Sequence, residues 1–97
     1  MNTREDANKL VKYLEDNKIH SKIIGSLEYK TESSHDIDIV ITNPSDSTFL
    51  RFTLRRLLSN SNSRIVFTEW DGIFFYDTYF GNVDIFFKMP RIGAIEA

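Results

Sequence analysis

Residues 36–42 alternate strictly along the chain, with an isoleucine at every second position. Successive side chains of a β-strand point to opposite faces, so this pattern predicts a strand with one apolar face. Asp36 and Asp38 fall together on the other face of that strand. Any fold for this chain must therefore bury the isoleucine face of the strand and provide a suitable environment for the two carboxylates on its other face.

Two stretches repeat apolar residues with the spacing of a helix instead. Thr3 and Asp6 resemble a capping box, and apolar residues then recur at i, i+3, i+4 and i+7 up to about Asn17. Farther on, residues 44–47 form a turn and helix cap before an apolar stripe that ends near Asn60. One helix is therefore predicted before the alternating strand and one after it.

The remaining segments are predicted to be turns and strands. Residues 19–24 predict a short strand that ends at Gly25, and residues 26–34 are polar with room for one helical turn. Three strands joined as two hairpins are predicted at residues 65–70, 73–80 and 83–88, with turns at Asp71-Gly72 and Gly81-Asn82.

The order of elements predicts the α+β class, with a mixed β-sheet and helices packed on one face. A chain of 97 residues fits a single domain, residues 1–97, with a C-terminal tail at about 90–97. No apolar run approaches the roughly 20 residues that cross a bilayer, so no membrane association is expected.

Composition excludes several classes of protein. The chain has no cysteine, which excludes a disulfide framework and a thiolate zinc site and fits a cytoplasmic location. Its formal net charge of -2 excludes the strongly basic surface of a dedicated nucleic-acid binder. Binding of a phosphate-containing partner would therefore depend on particular residues at the binding site rather than on the overall charge.

The pair Asp36 and Asp38 is the first feature with chemical content. On a strand these residues point the same way with Cα atoms about 6 to 7 Å apart, so their like charges repel. A divalent cation between them would relieve the repulsion, and an all-oxygen ligand set suits Mg²⁺ or Mn²⁺. The alternative is that both residues simply form the solvent face of a half-exposed strand.

Asp84 is the second such feature, because it lies in the apolar segment 83–87. Burying an ion without a partner is costly, so this carboxylate needs an explanation. If its strand lies beside the alternating strand, the aspartates form a cluster able to hold two metal ions. The alternatives are an edge-strand residue that faces water, or an ion pair with Arg51 or Lys88.

A glycine followed by a hydroxyl residue at a strand end lets backbone N–H groups approach phosphate closely. Taken together, Ile24-Gly25-Ser26, nine intervening residues, Asp36-Ile37-Asp38-Ile39 and a later strand with Asp84 resemble the signature of the DNA polymerase β-like nucleotidyltransferase superfamily. The short chain looks most like the minimal nucleotidyltransferases, which include antitoxins that partner HEPN-domain toxins.

The resemblance implies a nucleotidyltransferase-like fold and a metal-dependent enzyme that transfers an NMP group from an NTP, ATP foremost, to an acceptor hydroxyl. Asp36, Asp38 and Asp84 would then be catalytic and would hold two Mg²⁺ (or Mn²⁺) ions. In-line attack on the α-phosphorus would release pyrophosphate, with the metals neutralising the attacking and leaving oxygens.

The resemblance also implies that Gly25, Ser26 and Lys30 bind the nucleotide, with the backbone from Gly25 onward holding the β and γ phosphates. Three arginines within residues 51–56 could add phosphate contacts, although their helical spacing is better explained by a solvated flank.

The acceptor would be a partner protein such as a HEPN-type toxin, a nucleic acid or a small molecule, and an oligomer is compatible with the small size. Two alternatives stay open. One is a catalytically idle nucleotidyltransferase-fold binding module, or antitoxin-like partner of another protein. The other is a small α+β protein with no connection to nucleotides.

Overall fold

The computed structural model describes residues 2–33, 36–43, 47–68 and 72–88. It contains helices α1 (Arg4–Asp16) and α2 (Ser47–Leu58) and a 3-10 turn at Gly25–Glu28. The strands are β1 (Asn2–Thr3), β2 (Ser21–Ile24), β3 (Glu32–Ser33), β4 (Ile37–Ile41), β5 (Arg64–Thr68), β6 (Gly72–Thr78) and β7 (Gly81–Phe86).

Five of the strands form one mixed sheet in the order β2-β4-β7-β6-β5. Strands β4 and β7 are parallel neighbours at its centre, and the other three pairings are antiparallel. Strands β1 and β3 form a separate two-stranded antiparallel sheet. The parallel pair joins segments that are far apart in the sequence, and this pairing determines what lies beside the alternating strand.

Local hydrogen bonds and backbone conformation define both ends of helix α1. The Thr3 side chain accepts a hydrogen bond of 3.1 Å from the Asp6 N–H, so it caps the first turn. After the helix, Lys18 adopts a positive φ of 66°, and the Ile19 N–H donates to the Leu14 carbonyl. The chain then turns directly into β2.

The main core lies between the two helices and one face of the large sheet. Alternate residues of β4, β6 and β7 contribute to it, and α1 and α2 each present one apolar stripe. Its largest fully buried members include Phe75, Leu10 and Leu54. The Tyr13 hydroxyl also donates to the Leu57 carbonyl at 3.2 Å and joins the two helices. The prediction of helices packed on one face of a mixed α+β sheet is therefore confirmed.

A smaller apolar cluster lies on the opposite face of the sheet. It consists of the buried residues Ile24, Val40 and Phe86, with Phe74 packed against them. The rings of Phe74 and Phe86 meet edge to face with centroids 5.8 Å apart. This is the face to which Asp38 belongs, because side chains alternate along β4.

Both predicted helices and all five predicted strands are present, with bounds that differ by a few residues. The short strands β1 and β3 were not predicted, because two-residue strands leave no periodic pattern. The second hairpin turn was predicted two residues too late: Thr78 pairs with Gly81, so the loop residues are Tyr79 and Phe80. Gly81 lies inside β7 with φ of 88°.

Some predictions concern residues outside the described ranges. These are the cap at 44–46, residues 69–70 at the end of a predicted strand, Asp71 of the first hairpin turn and the tail at 90–97. As for membranes, neither α1 nor α2 has the length and apolar character that a bilayer crossing requires.

Candidate carboxylate site

The strand registers place four residues in one row across the sheet. Ile24 pairs with Asp38, Asp38 pairs with Asp84, and Asp84 pairs with Phe74. Residues paired in this way point to the same face, and neighbouring strands lie about 4.8 Å apart. The two aspartates are therefore direct neighbours on the face opposite the helices, with an apolar residue on either side of them.

Neither aspartate fits the surface alternatives. Asp38 is only 6% exposed, so it does not lie on a solvent-exposed face of the sheet. Asp84 is half-buried, and its strand β7 lies between β4 and β6 rather than at an edge. The edge-strand interpretation of Asp84 is therefore wrong, and the condition for a carboxylate cluster, that the two strands are neighbours, is met for Asp38 and Asp84.

Asp36 stands apart from this pair. It immediately precedes β4, two residues before Asp38, and is half-buried. Among the described residues, no three His, Cys, Asp or Glu side chains come close enough together to hold a metal ion. The structure thus brings Asp38 and Asp84 together and does not gather Asp36 into a three-carboxylate group.

The glycine-serine turn lies at the same end of the sheet. Ile24 is the partner of Asp38, so the 3-10 turn that follows it starts beside the beginning of β4. Gly25 has φ of 71°, a conformation that favours glycine because it has no Cβ. Ser26 is only 3% exposed whereas Gly25 is half-buried, so Gly25 is the more accessible residue of the two.

Contacts from α1 hold the turn in place. The Arg4 Nε donates to the Leu27 carbonyl at 3.0 Å, and the Arg4 N–H donates to the Thr31 carbonyl at 2.8 Å. Leu27 is buried in the main core. Arg4 therefore holds the turn in position. This role was not predicted, because no local sequence pattern links residue 4 to residue 27.

Two lysines differ in their relation to the carboxylates. Lys30 is exposed just beyond the turn, with its Nζ 5.9 Å from the Tyr29 ring centroid. Lys22 is exposed on β2, two residues before Ile24, and so shares the face of Asp38. Lys22 was not predicted as a site residue, although the alternation of β2 was a usable signal.

The arginines of α2 lie elsewhere. Helix α2 packs on the other face of the sheet, and Arg51 Nη1 donates to the Gly72 carbonyl at 3.2 Å. The Arg51 guanidinium also lies 4.6 Å from the Phe87 ring centroid. Arg55 and Arg56 are exposed on the outer side of the helix. The alternative that these arginines add phosphate contacts at the carboxylates is therefore not supported by their positions.

Comparisons of the chain with models of protein families, with curated proteins and with solved structures find no match. Function is accordingly inferred from the residues and their geometry. The site has two adjacent carboxylates on a sheet face, a tight glycine turn at the same sheet end and a lysine on the same face. Such an arrangement can hold a hard cation and the phosphates that the cation binds.

Proposed function

We propose that this protein is a metal-dependent nucleotidyltransferase of the DNA polymerase β-like type, transferring an NMP group from an NTP to an acceptor hydroxyl. The observation that carries the proposal is the pairing of Asp38 with Asp84 in the register of two parallel strands. The motif Asp36-Ile37-Asp38 and the position of the Gly25 turn support it, because both lie at the same end of the sheet.

The donor chemistry of the pair fits Mg²⁺. This ion is commonly held by one or two carboxylates, with water and substrate phosphates completing an octahedron. Asp38 and Asp84 supply two such carboxylates side by side, without a competing thiolate or imidazole ligand in the described row. Asp36 would be required for a second ion, and it is not grouped with the pair.

The proposed roles follow from position. Asp38 and Asp84 would hold the cation, which when bound supplies the positive charge that a triphosphate needs. The backbone at Gly25 and Ser26 would orient the outer phosphates, and Arg4 would keep that turn in place. Lys22 would add positive charge on the same face as Asp38 and Asp84, whereas Lys30 would contact phosphate only from the edge of the site.

A second candidate function is a nucleotidyltransferase-fold binding module without catalysis, such as an antitoxin-like partner of another protein. The observation in its favour is that the described residues include no three-carboxylate group suited to a metal. The two candidates differ in one property: only the enzyme requires metal-dependent binding of an NTP at Asp38 and Asp84.

Calorimetric titration with a non-hydrolysable ATP analogue, with and without Mg²⁺, tests the proposal. We expect binding that depends on the metal and that is lost in Asp38→Asn and in Asp84→Asn. Analogues of GTP, CTP and UTP, titrated in the same way, would establish the base preference. Asp36→Asn then shows whether the third carboxylate takes part.

The matched control is Asp16→Asn, which makes the same change of charge at an exposed residue near the end of α1. It should bind the analogue like the wild type. Equal binding by the wild type and both site variants, or metal-independent binding, would contradict the assignment of this site. Absence of any nucleotide binding by the folded wild type would favour the non-catalytic module.

A further inference from the structure

We propose that a groove on the outer side of α2 is a second binding site, and that it takes one phosphodiester and the adjoining base of a single-stranded nucleic acid. The groove has a volume of about 450 Å³ and lies between α2 and the start of the edge strand β5. The residues that line it are Phe52, Arg55, Arg56, Ser59, Ser63 and Ile65.

Helical spacing explains why these side chains meet. Phe52, Arg55, Arg56 and Ser59 are related as i, i+3, i+4 and i+7, so they share one face. The Ser59 N–H still donates to the Arg55 carbonyl at 3.0 Å, which extends the helical pattern past the end of α2. The apolar stripe that includes Leu54 faces the core instead. The outward face of α2 therefore forms one side of the groove, whereas the inward face of the helix packs against the core.

Both charged side chains that line the groove are arginines. Residues 47–68 contain four arginines and no Asp or Glu, so this segment carries +4 while the whole chain carries -2. Among the described residues, the recorded ion pairs involve neither Arg55 nor Arg56. Arginine binds phosphate oxygens well, because its planar fork can donate two hydrogen bonds at once.

A hydroxyl in the groove also lacks a partner. The Ser59 Oγ is buried and has no hydrogen-bond partner within the part of the chain that the structure describes. A buried hydroxyl without a partner is unfavourable. Ser59 lines the groove, but its Oγ has almost no accessible surface, so Arg55 and Arg56 rather than Ser59 supply the affinity for phosphate.

An exposed aromatic ring distinguishes a nucleotide from a simple anion. Phe52 is 71% exposed and Phe49, one turn earlier on α2, is 66% exposed, whereas the leucines at 50, 54 and 58 are buried. Ile65 adds a second apolar surface in the groove. Bases stack on such rings in proteins that bind single strands, whereas the bases of a duplex are not available for stacking. An aromatic ring beside two arginines therefore favours a single strand over an acidic peptide.

The groove is separate from the carboxylate site. It lies on the helix-bearing side of the sheet at β5, whereas the carboxylates lie on the other face of β4 and β7. The groove includes none of the residues assigned to nucleotide transfer, and binding at the groove does not depend on that activity. Binding at the groove and binding of an NTP can be measured independently.

Fluorescence anisotropy with labelled oligouridylate and oligothymidylate tests the proposal, using strands on the order of ten nucleotides because single-strand sites take about 4 to 16. Arg55→Gln with Arg56→Gln should weaken binding about tenfold or more. It should also reduce the slope of log affinity against log salt by about 0.7, since the groove holds one phosphodiester and each neutralised phosphate of a single strand contributes about 0.7. Phe52→Ala should weaken binding by about fivefold or more at unchanged slope.

The matched control is Lys9→Gln with Lys12→Gln, which removes the same charge from exposed positions on α1. It should leave the affinity close to that of the wild type. Glutamine is as good a helix former as arginine, so circular dichroism should show unchanged helices in the groove variant.

Three outcomes would overturn the proposal. The first is no measurable binding of either oligonucleotide to the folded wild type. The second is an equal loss in the groove variant and the α1 control, which would mean that only net charge matters. The third is competition by polyglutamate as effective as that by unlabelled oligonucleotide, which would assign the groove to an acidic peptide instead.

Discussion

The adjacency of Asp38 and Asp84 predicts a repulsive coupling that can be measured without any ligand. Paired strands set the two residues about 4.8 Å apart at their Cα atoms, so the carboxylates are taken to be about 5 Å apart. Two like charges at that distance repel by about 3 kcal/mol at an effective dielectric constant of about 20, and by less where water enters. We therefore expect a coupling of about 1 to 3 kcal/mol.

A double-mutant cycle isolates this term from every other contact that either residue makes. The variants are Asp38→Asn, Asp84→Asn and the double variant, and the measurement is the free energy of unfolding in urea with EDTA present. Each single change relieves the repulsion, and the second change relieves nothing more. The double variant should therefore be less stable than the sum of the single effects predicts, by the full coupling energy.

The same cycle in millimolar Mg²⁺ tests the proposed cation site. A cation bound between the carboxylates replaces repulsion by shared attraction, so the coupling should shrink or change sign. Additivity within about 0.3 to 0.5 kcal/mol in EDTA would refute the reasoning, because that is the behaviour of residues that do not interact. The two side chains would then be too far apart to share a metal ion.

Three further predictions concern the scaffold, each measured as the free energy of unfolding in urea. Gly25→Ala should lower it by about 1 to 2 kcal/mol because φ is 71°, whereas Gly25→Asn should cost less; equal costs would contradict the conformational explanation. Thr3→Ala should lower it by about 1 kcal/mol through loss of the cap to Asp6, and Thr3→Ser should restore most of it. Leu54→Ala should cost about 2 to 5 kcal/mol because Leu54 is fully buried, whereas the exposed Phe52→Ala should change stability by less than about 0.5 kcal/mol.

Periodicity was sufficient to predict the elements of the fold. The alternation at 36–42 and the apolar stripes of the two helices each depend on interactions within a few residues, so the local sequence contains them. The short strands β1 and β3 could not be predicted, because their pairing of Asn2 with Ser33 depends on residues distant in the sequence. The turn at Tyr79 and Phe80 was misplaced because a glycine inside a strand resembles a turn residue.

For the candidate site, the sequence determined the type of chemistry. It showed two aspartates on one strand face, a third in an apolar strand and a glycine turn upstream, and each of these is a local pattern. Only the tertiary structure decided which aspartates are neighbours. The parallel pairing of β4 with β7 joins Asp38 to Asp84, and it leaves Asp36 outside a three-residue group.

The tertiary structure also decided what lies on each side of the sheet. From the sequence, the arginines of α2 had two interpretations, a solvated helix flank or added phosphate contacts, because spacing alone does not say which face of a sheet a helix covers. Packing of both helices on one face placed Arg55 and Arg56 away from the carboxylates and beside the groove at β5. The physical reason is that strand pairing and helix packing are long-range interactions, set by burial of the whole apolar core rather than by neighbouring residues.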